Sequence, residues 1–508
     1  MQHLINTTVI NTAQGTPGTS DGVMMLFCKG VAVPGASTPL VLDTAYLCNS
    51  LSSLAKIGIT PDYDYVNNTD VYQQASEFYT EPGDGAYLWL VVTSTATVYN
   101  TYVAGATFHN LVAGTMSADP AKRAKMLGLC FPPPSTQQSA ADFPSEVLST
   151  ITALQLIQKS MFLEGFSWSA IIDGYNMSST GTPSGIQTMA NKGAYSISNC
   201  ITGSKPNGVA SVGAALGRFS SITIGHGMGE VDDGPIALTS AFLTNGVLVP
   251  ILGATIAQGT ALTVGHSYMV VNGPVIYNGI SYSVGSVLTC ITGVTAFTGT
   301  STTVVDLTTT GTVVAGTSYY VWFGPITYNG VVYASGQIFT AVTGVTTFTG
   351  GIISLFLGTD ATKLMPVDVN ALGQSQYMFI RKWFNQSGLF WNDGATCDIS
   401  NDPLATQEFN RVANALSANA MDFCTLLMGK NVQIDPKTKL VSLAFTSAKQ
   451  QDFASTYIDP KVTSGDISSG TFTLVGTPNG ANVVNWTYTL TINGTPITGS
   501  VTGTVQFF

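Results

Sequence analysis

Apolar and polar residues alternate most regularly near the C-terminus, where Val484, Trp486, Tyr488, Leu490 and Ile492 are separated by Asn485, Thr487, Thr489 and Thr491. A period of two puts the first set on one face of a strand and the second on the other. Upstream the pattern changes between short apolar runs and helical spacings. Val23–Cys28, Tyr87–Val92, Lys125–Cys130, Ala170–Asp173 and Ser221–Ile224 read as strands, and the unbroken Tyr87–Val92 run as one buried on both faces. Leu47, Leu51, Leu54 and Ile57 predict an amphipathic helix over Asp43–Ile57. Further helices are expected over Asp70–Tyr79, through Leu148, Ile151, Leu154, Leu156, Ile157 and Phe162, and over Pro206–Arg218, which is rich in Gly and Ala. Asp402-Pro403 reads as an N-cap acid followed by proline at the first helical position. It opens a long helix whose apolar stripe is Phe409, Val412, Ala413, Leu416, Ala420, Phe423 and Leu427, ending at Gly429. Tyr377–Trp383 and Gly388–Trp391 are expected to pair as strands. Strands separated by helices imply a mostly parallel sheet covered by helices.

One region breaks this rhythm. The segment Gly265–Gly299 recurs as Gly316–Gly350 without a gap, and the same shift carries Pro274 onto Pro325, Asn278 onto Asn329 and Phe297 onto Phe348. Each copy contains an Asn-Gly pair between β-branched and aromatic residues, which predicts a type I′ hairpin because both turn residues need positive φ. Pro274 and Pro325 belong at strand ends or edges, since proline lacks the ladder donor. A module of about 50 residues has a meagre core by itself, so two docked in tandem on a host domain are expected. Such modules suit a β-rich spacer or, alternatively, a carbohydrate- or surface-binding unit.

Composition narrows the function. Of 508 residues only 9% are charged, with Gly, Ser and Thr in their place, a surface suited to being covered by neighbours. The formal charge of −10 and the lack of a dense basic run exclude a nucleic-acid partner. No run approaches the ~20 apolar residues of a membrane span, and the first residues have no leader pattern, so synthesis in the cytoplasm without membrane insertion is expected. Seven scattered cysteines, Cys28, Cys48, Cys130, Cys200, Cys290, Cys397 and Cys424, without a C-x-x-C pair, read as buried free thiols.

Chemistry is sparse. His226, followed by Glu230, Asp232 and Asp233, is the best catalytic candidate, but the nucleophile elbow, the phosphate loop and the H-E-x-x-H spacing are all absent. The Gly225–Gly234 loop lacks the ordered oxygen spacing of a Ca²⁺ loop, so a structural loop is expected, with no catalytic residue, metal or cofactor. Arg218 reads as one half of an interior or inter-subunit ion pair. An enzyme is not expected.

Three segments carry a resemblance. The first is Ser52–Ile59 leading through Ala75-Ser76-Glu77-Phe78 to Gly85–Leu90. The second is Gly213-Ala214-Ala215-Leu216-Gly217-Arg218, and the third is Gly388-Leu389-Phe390-Trp391-Asn392-Asp393 followed by Asp402-Pro403-Leu404-Ala405 and the long helix. In these, and over roughly residues 1–247 and 361–508, the chain resembles the contractile tail sheath proteins of bacteriophages and of phage-like contractile injection systems. The tandem modules depart from that pattern. The resemblance implies a structural subunit of the virion tail: hexameric rings stacked helically around a tail tube, with baseplate and tail terminator proteins as further partners. It also implies terminal arms that add strands to neighbouring subunits, and contraction that drives the tube through the host envelope. The expected fold class is then α/β and α+β multidomain: a mixed-sheet sheath-type core, two inserted tandem all-β Ig-like modules and a β-rich C-terminal arm region. The divisions are an extended arm at 1–20, an α/β domain at 21–247, modules at 248–303 and 304–360, and a C-terminal α+β domain at 361–508. Val484, Trp486, Tyr488, Leu490 and Ile492 are the candidate assembly residues, in a sheet that accepts or donates a strand. A β-rich adhesin or fibre is the alternative, and an enzyme carrying carbohydrate-binding repeats a weaker one.

Overall fold

The computed structural model describes residues 22–35, 38–67, 69–118, 122–132, 145–164, 166–174, 197–200, 208–222, 224, 226–237, 250–251, 255–272, 274–282, 286–299, 303–307, 310–323, 325–356, 366–384, 386–397, 406–427, 435, 437–438, 440–465, 467–476, 483–492 and 495–506. The expected arm at 1–20, the Asp402-Pro403 cap and the Gly429 stop lie outside these residues.

The host domain is built on one sheet. Its strands are β1 (Met24–Gly30), β2 (Ala45–Cys48), β3 (Leu88–Ser94), β4 (Met126–Leu129), β5 (Ser169–Asp173), β6 (Ile197–Cys200) and, from after the insertion, β21 (Tyr377–Met378). Their order is β2-β3-β1-β4-β5-β6-β21, parallel throughout except for the antiparallel edge strand β2. Alternate side chains of β1 divide between two cores. Met24, Leu26 and Cys28 face one with Leu88, Leu90, Val92 and Ile171, while Met25 and Phe27 face the other with Val91, Leu127, Leu129 and Ile172. Helices α1 (Leu51–Lys56), α2 (Pro61–Asn67), α3 (Val71–Phe78) and α7 (Val212–Ser221) belong to the first face, and α4 (Tyr99–Val103), α5 (Ala106–Met116) and α6 (Ser145–Leu163) to the second. This is a three-layer α/β arrangement in which every central strand is buried on both sides.

Two expectations fail here. The helix over Asp43–Ile57 is two elements: Ala45–Cys48 pairs with Leu88–Val91 as β2, and only Leu51–Lys56 is helical. Asp43 takes a φ of 56°, and Ser50 caps the later helix by accepting from the Ser53 amide, so the chain turns between the two. The apolar spacing was shared by a strand and a single turn and a half of helix. The strand expected at Ser221–Ile224 is also absent, because α7 runs to Ser221 with Ile222 as its C-cap.

The insertion holds two separate cores. Strands β8 (Thr255–Ala257), β9 (Ser267–Asn272), β12 (Val287–Thr289) and β13 (Thr303–Asp306) form a sheet in the order β12-β9-β13-β8, beside the hairpin β10 (Val275–Tyr277)–β11 (Ile280–Tyr282). In the second copy β15 (Ser318–Phe323), β18 (Ile338–Thr340) and β20 (Ile352–Leu355) are joined by β7 (Pro250–Ile251). A second sheet there contains β14 (Thr310–Thr312), β16 (Ile326–Tyr328), β17 (Val331–Tyr333) and β19 (Thr347–Thr349). The expected boundary between 303 and 304 thus falls inside β13, a strand of the first copy. The second copy takes its outer strand from residues that precede the first. Both hairpins have the expected turn: Asn278 and Asn329 have φ of 49°, and Gly279 and Gly330 of 75° and 74°.

After the insertion come α8 (Pro366–Gln374), the hairpin β22 (Ile380–Arg381)–β23 (Phe390–Trp391) and α9 (Gln407–Leu427). Val412, Leu416 and Ala420 of α9 are buried with Phe453, Phe472 and Leu474 in a third core. The Phe453 and Phe472 rings stack at 4.0 Å. Helix α10 (Leu443–Phe453) continues through a π-turn at Ala454–Ile458 into α11 (Asp459–Ser464). Pro460, which has no amide hydrogen, removes one bond of the regular ladder at that widening. The chain then forms β24 (Ser469–Gly476), β25 (Val483–Ile492) and β26 (Thr495–Gln506), an antiparallel sheet in that order. Cys28, Cys48, Cys130, Cys200, Cys290 and Cys397 are free and buried. Among the described residues no helix is long and apolar enough to cross a membrane.

Candidate functional site

The three segments that carry the resemblance meet at one junction. Helix α7 is buried along its whole length, which requires small side chains on the faces that approach other backbone. A methyl group at Gly213 would collide with the Gln74 carbonyl, and one at Gly217 with the Phe78 carbonyl, so α7 and α3 touch backbone to backbone at two glycines one turn apart. An adjacent face lies on the sheet, where a methyl at Gly128 would meet Leu216 and Val212 at 2.7 and 2.8 Å. Gln74 joins the two helices: it donates to Asp70 (2.9 Å) and to the Ala210 carbonyl (2.7 Å) and accepts from the Gly213 amide (2.8 Å). That last bond satisfies one of the amides left over at the start of α7. Asp64 does the same for α3, accepting from the amides of Tyr72 (3.1 Å) and Gln73 (2.8 Å).

Arg218, at the end of α7, ties the third segment to this unit. Its guanidinium donates to Glu81 (3.4 Å) and to the carbonyls of Asp233 (3.2 Å) and Gly234 (3.0 Å). Both side chains are buried, 4% and 7% exposed. The other oxygen of Glu81 accepts from the Ala237 amide at 2.7 Å. Arg218 is therefore an interior ion-pair residue, one of the two roles read from sequence, and with Glu81 it holds the loop 230–237 at Asp233, Gly234 and Ala237. The same loop lies against the Gly388–Asp393 segment. A side chain at Gly229 would strike the Asn392 carbonyl, the Ile236 amide donates to the Leu389 carbonyl (2.8 Å), and Pro235 abuts Gly388.

Beyond Asp393 the chain enters α9, whose first turn is polar and enclosed. Gln407 donates to Ser198 (2.8 Å) and the Ala170 carbonyl (3.3 Å), and Arg411 donates to the Phe219 carbonyl (2.8 Å). Burial pushes the Glu408 carboxyl up to about 7, with the nearby Asp393 charge acting in the same direction and Arg411 against it. Burial raises Asp393 too, opposed by the Ala395 amide, Asn392 and Arg381. Two small cavities flank α9. One, of about 20 Å³, is lined by Met24, Ile224, Arg411 and Ala415 among others, and one of about 50 Å³ by Arg123, Phe166 and Asp422 among others. They have room for a water molecule or two, far below a substrate pocket.

His226, the candidate drawn from sequence, stands on the outer side of the loop with two of its three acids. Its Nδ1 is 3.5 Å from Glu230 Oε2 and 3.4 Å from Asp233 Oδ2, and Asp232 is not part of the group. Val484, Trp486, Tyr488, Leu490 and Ile492 all lie on β25, the central strand of the C-terminal sheet. Trp486 registers between Leu474 of β24 and Gly503 of β26, and Tyr488 between Phe472 and Val501. Both neighbours of β25 are occupied within this chain, so the sheet's outer edges are those of β24 and β26. Sequence reading missed Glu81 and Gln74. The Gly213/Gly217 spacing was the available signal for a close helix pair, but it does not name the partner helix.

No family model and no curated protein matches the sequence. Solved structures similar to the chain include the anti-feeding prophage baseplate, at 9% identity and a TM-score of 0.42 over 90% of this chain and 83% of that one. They also include the sheath tail protein of Desulfitobacterium hafniense, at 7% identity and a TM-score of 0.42 over 96% of this chain and 97% of that one. Likeness at this level does not by itself assign the chain a function.

Proposed function

We propose that the chain is a structural subunit of a contractile tail sheath, located in a virion tail or a phage-derived injection machine. The observation that carries this reading is the junction just described: the three segments that resemble sheath proteins are separate in sequence and contiguous in space, locked by Gly213, Gly217 and Arg218. A subunit that moves as a rigid body between two lattice states needs such a locked centre. The low charge of the chain favours extensive contacts with copies of itself. Hexameric rings stacked around a tail tube, with baseplate and terminator proteins at the ends, follow from this reading. So does strand exchange, in which the segment 1–20 of one subunit adds to a free edge of another subunit's C-terminal sheet. The tandem modules are surface decoration in this scheme, Ig-like in size and role.

Negative-stain microscopy of the purified chain tests it. Hollow cylinders of contracted form are expected from protein made without a tube, because the extended lattice is set during assembly on the tube. Deleting residues 1–15 is expected to leave a folded protein that no longer polymerises. Discrete particles or thin fibres from the full chain would overturn the reading, the fibres in favour of an adhesin.

A further inference from the structure

The geometry points to a divalent transition-metal site on the 226–237 loop, with His226 Nδ1, Glu230 Oε2 and Asp233 Oδ2 as ligands to a zinc-type ion and water in the fourth position. The argument begins with a comparison among the described histidines. His109 Nε2 lies 3.0 Å from both oxygens of Glu164, and His266 Nδ1 lies 2.7 Å from Asp306; both are hydrogen-bonding distances. His226 Nδ1 instead makes only a long hydrogen bond, 3.4 Å, to Asp233 and stands 3.5 Å from a second carboxylate, Glu230. One imidazole nitrogen has one lone pair or one proton, so it cannot serve two carboxylates with good hydrogen bonds. Two ligands each about 2.1 Å from a tetrahedral zinc ion are about 3.4 Å apart. The two His226 distances match that separation, and all three ligand atoms lie within 4.8 Å of one another, close enough to share one ion.

The donor set is also suitable. One neutral imidazole and two carboxylates balance a divalent charge, and imidazole with carboxylate selects zinc-like ions over the all-oxygen preference of Ca²⁺ and Mg²⁺. Glu230 and the backbone of Asp233 are held by contacts outside the triad. The Gly227 amide donates to the other oxygen of Glu230 at 2.7 Å, leaving Oε2 directed toward His226. Arg218 grips the Asp233 and Gly234 carbonyls, and Gly229 is pressed on the Asn392 backbone. Second partners of this kind orient the ligands of a metal site. Arg218 does not neutralise the carboxylates, since its charge is paired with Glu81. Bound there, the ion would close the loop that packs between the end of α7 and the 388–393 segment.

Titration of the full-length, chelator-treated protein with Zn²⁺ by calorimetry, and with Co²⁺ by visible absorption, tests the site. One saturable equivalent is expected, with the intense absorption of tetrahedral Co²⁺. His226→Ala and Asp233→Asn should weaken Zn²⁺ binding by more than the roughly 10–100-fold that loss of a second-shell partner costs. His109→Ala should leave it unchanged. Circular dichroism checks that each variant is folded, and Glu230→Gln, at the more exposed ligand, serves where another variant is not. Binding that survives in His226→Ala, absence of saturable binding in the folded wild type, or equal competition by Ca²⁺ would overturn the assignment.

Discussion

The host junction and the inserted modules solve the same problem, joining β-rich pieces firmly, by opposite means. At the junction, backbone meets backbone: Gly213 and Gly217 lie on α3, and a buried ion pair, Arg218–Glu81, closes the end. In the modules the join is made by tyrosine hydroxyls, twice over. Tyr277 accepts from the Ile291 amide (2.7 Å) and donates to the Val294 carbonyl (2.7 Å), and Tyr328 does the same with Val342 (2.8 Å) and Val345 (3.0 Å). Tyr268 and Tyr319 likewise accept from the amides of Thr263 (2.7 Å) and Val314 (2.8 Å). A large apolar ring with a polar tip lets a small core satisfy its own loops. The junction depends on parts far apart in sequence, whereas each tyrosine acts within about 17 residues.

The sharpest way to break the junction is to leave a charge without its partner. Arg218→Met keeps the length of the side chain and leaves Glu81 buried and unpaired. Removing one member of a buried pair costs about 3–5 kcal/mol, so the host transition in a thermal melt should fall steeply while that of the modules stays in place. A joint fall of both transitions would show that the modules and the host unfold as one unit.

Steric overlap is the next largest effect. Gly213→Ala adds a single methyl against the Gln74 carbonyl, where neither backbone has room to give way. Overpacking of this kind costs about 1–3 kcal/mol. The matching substitution Gly114→Ala, on α5 where an added methyl meets nothing within 4 Å, should be neutral or slightly stabilising. If both behave alike, the close approach of α7 and α3 is wrong.

The first turn of α9 gives the junction a pH dependence that the tyrosines do not share. Glu408 is held up to about 7, above its ordinary 4.5, so the native state keeps a proton that the unfolded chain releases. Its stabilising effect is fully present below pH 4.5 and is lost as pH rises through about 7. Host stability should therefore fall from pH 5 to pH 8, by about 1–2 kcal/mol once partial exposure is allowed for. Burial also pushes the Asp64 carboxyl of the same junction up to about 7, so Glu408→Gln should lessen that slope and leave the part due to Asp64.

How much of this was legible in the sequence follows the same division. The hairpins were, because an Asn-Gly turn is decided by two adjacent residues whose φ angles came out as the turn type demands. The buried strands at Val23–Cys28, Tyr87–Val92 and Ala170–Asp173 were also legible, since a strand covered on both faces is apolar throughout. The helix over Asp43–Ile57 was misread because Leu47 lies on a strand and Leu54 packs from a helix, and spacing alone does not register the turn between them. The tyrosine repeats lay in the duplicated segment, yet their amide partners are visible only once the loops are folded back. At the junction, Arg218 was recognisable as a paired cation, but Glu81 lies 137 residues away and nothing local connects the two.

A smaller effect distinguishes the modules from each other. Tyr328→Phe removes the hydroxyl that holds the Val342 amide, and Tyr277→Phe the one that holds Ile291, each at about 1 kcal/mol. Equal losses are expected, because the contacts are superimposable by sequence. Unequal losses would mean that the first copy draws extra support from the His266–Asp306 pair, which has no counterpart at Thr317 in the second.

The smallest expected effect belongs to the largest change. None of the residues in the two host cores or the C-terminal core comes from the insertion, and the two insertion cores contain no host residue. The insertion's first and last strands are paired, Pro250 opposite Ser354 and Ile251 opposite Ile353, so the ends that a deletion must join are already neighbours. Antiparallel partners of this kind are about 5 Å apart at Cα, a gap that a two-residue turn spans. Replacing residues 252–352 with Asn-Gly is therefore expected to leave the host melting transition and cylinder formation unchanged. The removed strands β8–β19 take their own hydrogen bonds with them, and β20 and β7 remain as a short exposed hairpin of little stability. The replacement must remove both copies, because β7 completes the second module's sheet and deleting one copy alone leaves the other's strands without their proper neighbours. A host domain that melts lower or aggregates after the full deletion would show that the modules brace the core, and the division between long-range and local joining would no longer hold.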